Sequence, residues 1–130
     1  MRRFVLLLAV LTVLAIAPAS VSAASERCSI EVSPAAGGPT DVYRVTATNF
    51  PVDPAGGSLE VRIDVRRLGT REGSIFFLFL VPGTTDFYLD INQVVPGDPV
   101  EPMQEGRYLV IAETAHLAGC HTTDGFVVTA

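Results

Sequence analysis

The chain contains no lysine and no tryptophan, only two histidines and two cysteines, and no window in which apolar residues recur with a sustained helical period. Each shortage excludes something. Without lysine there is neither Schiff-base chemistry nor a Ser–Lys pair. Without tryptophan the usual platform for stacking sugar rings is missing, leaving Tyr43, Tyr88 and Tyr108. Positive charge is scarce too. Nine arginines stand against fourteen acidic residues, and two of those arginines fall at positions 2 and 3. Setting that pair aside gives seven against fourteen, a net charge near −7. Phosphate backbones and anionic membranes need a basic face, so neither nucleic acid nor a membrane is expected as partner of the processed chain.

What is present begins with an export signal. Arg2 and Arg3 precede an apolar run from Phe4 to Ala17, and Val21-Ser22-Ala23 fits the small-x-small cleavage rule. Residues 1–23 are therefore expected to be cleaved, after Ala23 or Ala24, with an uncleaved anchor as the alternative. Glu26 and Arg27 before Cys28 do not suit a lipoprotein. Residues 24–130, about 107 of them, make one domain with a modest core. Cys28 and Cys120 lie near its two ends. An even cysteine count in an exported chain reads as one disulfide, against two free thiols or a metal pair. Secretion to the extracellular or periplasmic space is the expectation.

The apolar pattern after Cys28 has period two. Ile30 and Val32 mark a first strand, which Pro34-Ala-Ala-Gly-Gly-Pro39 breaks. A second runs from Val42 to Asn49, with Tyr43, Val45 and Ala47 on one face. In the third, Leu59, Val61, Ile63 and Val65 alternate with Ser58, Glu60, Arg62 and Asp64, a half-buried strand with a solvated face. A polar hairpin from Arg66 to Gly73 leads to Ile75–Val81, which is apolar on both faces. Phe87, Leu89 and Ile91 define a fifth strand, and the proline-rich stretch from Val95 to Gln104 is loop. Tyr108, Val110 and Ala112 alternate in a sixth. A loop from Ala115 to Asp124 then carries both histidines, and Phe126 and Val128 close the chain. About seven short strands indicate an all-β sandwich.

Ser33-Pro-Ala-Ala-Gly-Gly-Pro-Thr40, Val42-Tyr-Arg-Val-Thr-Ala-Thr-Asn-Phe-Pro51, Glu105-Gly-Arg-Tyr-Leu-Val110 and the Gly-Cys…Gly-Phe-Val-Val-Thr ending resemble small secreted bacterial immunoglobulin-like modules. The likeness covers nearly all of the processed chain. It implies a Greek-key sandwich with Tyr108 as a tyrosine corner at the start of its strand. Val110 stands where antibody domains have their second cysteine, and the core tryptophan is missing, so the usual inter-sheet disulfide is absent. In this topology Cys28 and Cys120 are neighbours at one end.

Residue types offer several candidate sites. Glu113-x-x-His116-x4-His121-x-x-Asp124 offers metal donors in no standard spacing, so no metal or other cofactor is expected. There is no Gly-x-Ser-x-Gly elbow and no serine beside a histidine. Asp53, Asp86, Asp90 and Asn92 lack the dense spacing of a calcium loop. Arg62, Arg66, Arg67 and Arg71 form a basic cluster whose plain reading is a solvated hairpin with Asp64 and Glu72 as counter-charges. Strand Ile75–Val81 needs a second cover on its outer face, either Ile75, Phe77, Phe79 and Val81 or Phe76, Leu78 and Leu80. The Val95–Gln104 loop or a partner would supply it. The expected function is a non-catalytic binding or adhesion module for a protein or cell-envelope ligand, contacted by His116, Leu117 and His121 at the disulfide-braced loop end. The alternatives are a homo-oligomer built through residues 75–81 and a small metal-dependent hydrolase.

Overall fold

The computed structural model describes residues 28–93, 95, 97–114 and 119–130. The expected leader at 1–23, and His116 and Leu117, lie outside the described residues. Eight strands follow one another: β1 (Ser29–Ser33), β2 (Ala36–Gly37), β3 (Tyr43–Thr48), β4 (Leu59–Arg67), β5 (Gly73–Leu80), β6 (Phe87–Ile91), β7 (Gly106–Thr114) and β8 (His121–Val128). They make two sheets, ordered β1-β3-β6 and β2-β8-β7-β4-β5, with no helix among the described residues. Every pairing is antiparallel except that of β2 with β8.

Alternation builds both layers. In β3, Tyr43, Val45 and Ala47 are fully buried while Arg44, Thr46 and Thr48 are exposed. Leu59, Val61, Ile63 and Val65 of β4, Tyr108, Val110 and Ala112 of β7, and Phe126 and Val128 of β8 face the same core from the larger sheet. Ile30 and Val32 of β1 and Ile91 of β6 complete it from the smaller one, with Phe50 from the loop after β3. Each such Val, Leu, Ile or Phe side chain contributes about 1.5–3 kcal/mol by leaving water. Tyr43 and Phe126 stack across the gap between the sheets at 4.5 Å, and Tyr108 stacks on the other side of Phe126 at 4.9 Å.

Two cross-ties, one a hydrogen bond and one covalent, hold the layers in register. The Val32 N–H donates to Asp124 Oδ2 at 2.8 Å, joining β1 to β8 across the core edge. Cys28 and Cys120 form the expected disulfide, with Cα atoms 5.8 Å apart and 92 residues between them in sequence.

Four expectations need correction. The Pro34–Pro39 stretch is not only a break. There the chain crosses to the rim of the larger sheet as β2, where Ala35 and Gly37 carbonyls accept from Val127 and Thr129 N–H. That makes eight strands rather than about seven. The final loop is shorter than Ala115–Asp124, because His121–Asp124 pair with Val110–Glu113 as the first half of β8. The hairpin before β5 is also shorter, since Arg66 and Arg67 stay in β4 opposite Leu109 and Tyr108. Asp64 is not solvated but buried, between Ile75 and Ile111 on the flanking strands, with Arg66 closing over it.

Candidate functional site

Position in the sheet decides which surface is available. β5 lies at the rim of the larger sheet and pairs with β4 alone among the described strands. Its inward residues Phe76, Leu78 and Leu80 pack against the core. Its outward residues do not: Ile75 is 49% exposed, Phe77 56%, Phe79 71% and the following Val81 73%. Of the two outer-face sets read from the sequence, the structure selects this one, and the described residues of the loop 95–104 leave it exposed. A rim strand presents a row of unpaired N–H and C=O groups, which proteins ordinarily guard with charge, proline or a bulge. Gly73–Val81 contains no charged residue and no proline. Taking about 200 Å² for each fully exposed large side chain, the four exposures amount to roughly 500 Å² of apolar surface, near the upper end for a monomer.

The neighbouring strand is the reverse. On the outer face of β4, Glu60, Arg62 and Asp64 stand opposite Phe79, Phe77 and Ile75. Arg66 Nε and Nη2 donate to Asp64 Oδ2 at 2.9 and 2.6 Å. Arg62 lies 3.9 Å from Asp64 and 3.8 Å from Glu113, and Arg67 pairs with Glu72 at 3.2 Å. Arg62, Arg66 and Arg67 thus spend their charge on local carboxylates, Asp64 and Glu72 among them. A ladder of paired charges therefore borders the apolar rim.

At the disulfide end, the described residues of the histidine stretch separate. His121 is exposed and opposite Glu113 on the outer face. Asp124 lies three residues further along the same strand, so alternation turns it inward to Val32. His121 and Asp124 do not converge, and among the described residues no group of three or more His, Cys, Asp or Glu is placed to hold a metal. A shallow hollow lined by Cys28, Gly119, Cys120 and His121 opens there.

The tyrosines are committed elsewhere. The Tyr108 hydroxyl donates to the Gln104 carbonyl at 2.7 Å and that of Tyr43 to the Gly38 carbonyl at 2.8 Å. Burial raises both phenols above their ordinary value. The Asp41 charge adds to the rise at Tyr43, and Glu72 adds at Tyr108 against an opposing Arg67. Tyr88 is exposed, but Arg44 lies over its ring at 4.0 Å while bonding Asp90 at 2.8 and 3.0 Å. No tyrosine with both ring faces free offers a sugar platform among the described residues.

No protein-family model and no curated protein matches the chain. Solved structures do resemble it. Superoxide reductase (neelaredoxin) from Ignicoccus hospitalis aligns with a TM-score of 0.54 at 14% identity, over 79% of this chain and 80% of that one. A putative superoxide reductase from Thermotoga maritima gives 0.50 at 6% identity, over 81% and 88%. The DNA glycosylase AlkC from Pseudomonas fluorescens gives 0.50 at 16% identity, over 80% of this chain but 30% of its own. At such identities the likeness concerns the fold alone: an all-β, two-sheet domain found as most of one protein and as a portion of another. The disulfide is compatible with an oxidising, extracellular setting.

Proposed function

We propose that this chain is an exported, non-catalytic binding module of the immunoglobulin-like Greek-key type, and that it engages its partner along β5. The strand order supports the fold assignment. β1, β3 and β6 correspond to A, B and E of such domains, and β8, β7, β4 and β5 to G, F, C and C′, with β2 as a second segment of A. The Tyr108–Gln104 bond at the start of the F-like strand has the form of a tyrosine corner. Export is supported by the leader-like residues 1–23 together with the disulfide.

One observation carries the functional reading: a rim strand without charge or proline, showing Ile75, Phe77, Phe79 and Val81 to solvent. An unpaired edge offers main-chain hydrogen bonds, and alternate apolar side chains give them a register. Among the described residues of the loop end, one histidine is exposed, His121 beside Glu113. Among the described residues of that stretch, Asp124 turns to the Val32 N–H, away from His121 on the outer face.

The test is capture from the native secretome with three immobilised forms of the protein. Wild type and His121→Ala should retain the same partner, while Phe77→Ser/Phe79→Ser, verified as folded by its thermal melt, should lose it. Retention by the β5 variant together with loss by His121→Ala would move the site to the loop end.

A further inference from the structure

We infer that the occupant of β5 is a second copy of this chain, paired antiparallel about a two-fold axis at Leu78; this rests on β5 being the docking strand. Two-fold pairing of like edges is the simplest closed way to satisfy a row of unpaired backbone groups, and it leaves no new edge at the contact. It would join the two five-stranded sheets into one of ten.

The side chains fix the register. About Leu78, Ile75 faces Val81 of the second copy and Phe77 faces Phe79, each pair occurring twice. All four exposed apolar side chains thereby meet another. On the inner face Phe76 meets Leu80. Moving the axis to Phe77 leaves Val81 opposite Gly73, and moving it to Phe79 leaves Ile75 opposite Gly83. A register in which outer residues met inner ones would break the apolar match altogether. Aromatic and β-branched cross-strand pairs are the ones that stabilise sheets.

Charge selects the antiparallel sense. From Gly73 to Thr85 the chain carries no charge; before it stand exposed Arg71 and Glu72, the latter paired with Arg67, and after it exposed Asp86, so the two ends carry opposite net charge. Antiparallel pairing brings Arg71 of each copy to the end that holds the other's Asp86. A parallel arrangement would gather like charges. Area sets the strength. The outer side chains keep one side to solvent in the joined sheet, so pairing covers at most the roughly 500 Å² of each copy, about 1,000 Å² in all and the lower bound for a specific interface; the dimer should be weak, with a dissociation constant on the order of micromolar or above.

Sedimentation equilibrium of the purified protein over a wide concentration range should show monomer passing to dimer. Phe79→Lys should weaken the dimer about tenfold or more, by replacing the apolar cross-strand partner of Phe77 with a charge, without lowering the melting temperature of the monomer. Register is read by cross-linking. Phe77→Cys and Phe79→Cys proteins, each keeping the Cys28–Cys120 bond, are oxidised alone and as a mixture. The mixed 77–79 cross-link should exceed either self-cross-link about tenfold, since only that pair meets disulfide geometry. Wild type that stays monomeric at every concentration, an undiminished Phe79→Lys dimer, or equal cross-linking in all three samples would overturn the proposal. If the monomeric result coincides with β5-dependent capture of a different protein from the secretome, the second copy is refuted and the docking strand stands. Loss of both refutes the strand as well.

Discussion

Removing the Cys28–Cys120 bond is the perturbation whose size the structure sets most directly. The bond ties the residue before β1 to the residue before β8, across 92 positions. Both cysteines are almost fully buried, so Cys28→Ala/Cys120→Ala avoids leaving buried hydroxyls or thiols. Releasing a loop of that length gives the unfolded chain an entropy gain equivalent to about 4.5 kcal/mol at room temperature. For a domain of this size each kcal/mol moves the melting temperature by about 4–8 °C, so the shift should be roughly 18–36 °C. The loss is large beside the 5–15 kcal/mol that typical domains possess. Differential scanning calorimetry of oxidised, reduced and double-alanine protein provides the measurement, with reduced and double-alanine forms expected to coincide. A drop of less than about 5 °C would refute the reasoning, because it would mean that the ends stay together without the bond.

Tyr108→Phe deletes the 2.7 Å bond to Gln104 without changing the stack on Phe126, and should cost about 0.5–1.5 kcal/mol in urea unfolding. Asp124→Ala orphans the Val32 N–H and removes a charged acceptor, for which about 1.5–3 kcal/mol is expected from the same assay. Hydrogen bonding from Arg44 holds the Asp90 carboxyl below its ordinary value of 3.8. Its contribution is complete above that value and lost as pH falls through the lower folded one, so wild type and Asp90→Asn should differ above pH 4 and converge in stronger acid. Tyr43 and Tyr108 carry the opposite sign. Their folded values lie above 10.0, so the stability from neutral phenols is complete below pH 10 and lost as pH rises through the folded values. Phenolate absorbance should therefore appear at lower pH in urea-unfolded protein than in native protein.

Much of the architecture was legible because half-buried strands alternate. Tyr43/Val45/Ala47, Leu59/Val61/Ile63/Val65 and Tyr108/Val110/Ala112 are inward-facing in the structure as the period of two required. The disulfide was legible from cysteine number and position. Where the reading missed, the cause lies beyond local pattern. Ala36–Gly37 become a strand because β8 offers them partners, a fact of tertiary placement that a proline- and glycine-rich segment cannot display. His121–Asp124 look like loop because they are polar, yet their pairing with β7 continues unbroken. Asp64 follows the outward alternation of β4 and is still buried, since Arg66 covers it. The candidate site was half visible. A run apolar on both faces signals an uncovered side, but only sheet order places Ile75–Val81 at the rim and makes Phe77 and Phe79 accessible.

The central claim is that β5 is where this protein binds, and amide hydrogen exchange followed by mass spectrometry tests it most directly. Exchange is compared between dilute protein and protein bound to its partner, whether that partner is a second copy at high concentration or a captured protein. The account predicts new protection confined to residues 73–81, with the peptide covering 119–124 unchanged. Protection that appears at 119–124 while residues 73–81 exchange as in the dilute protein would contradict it.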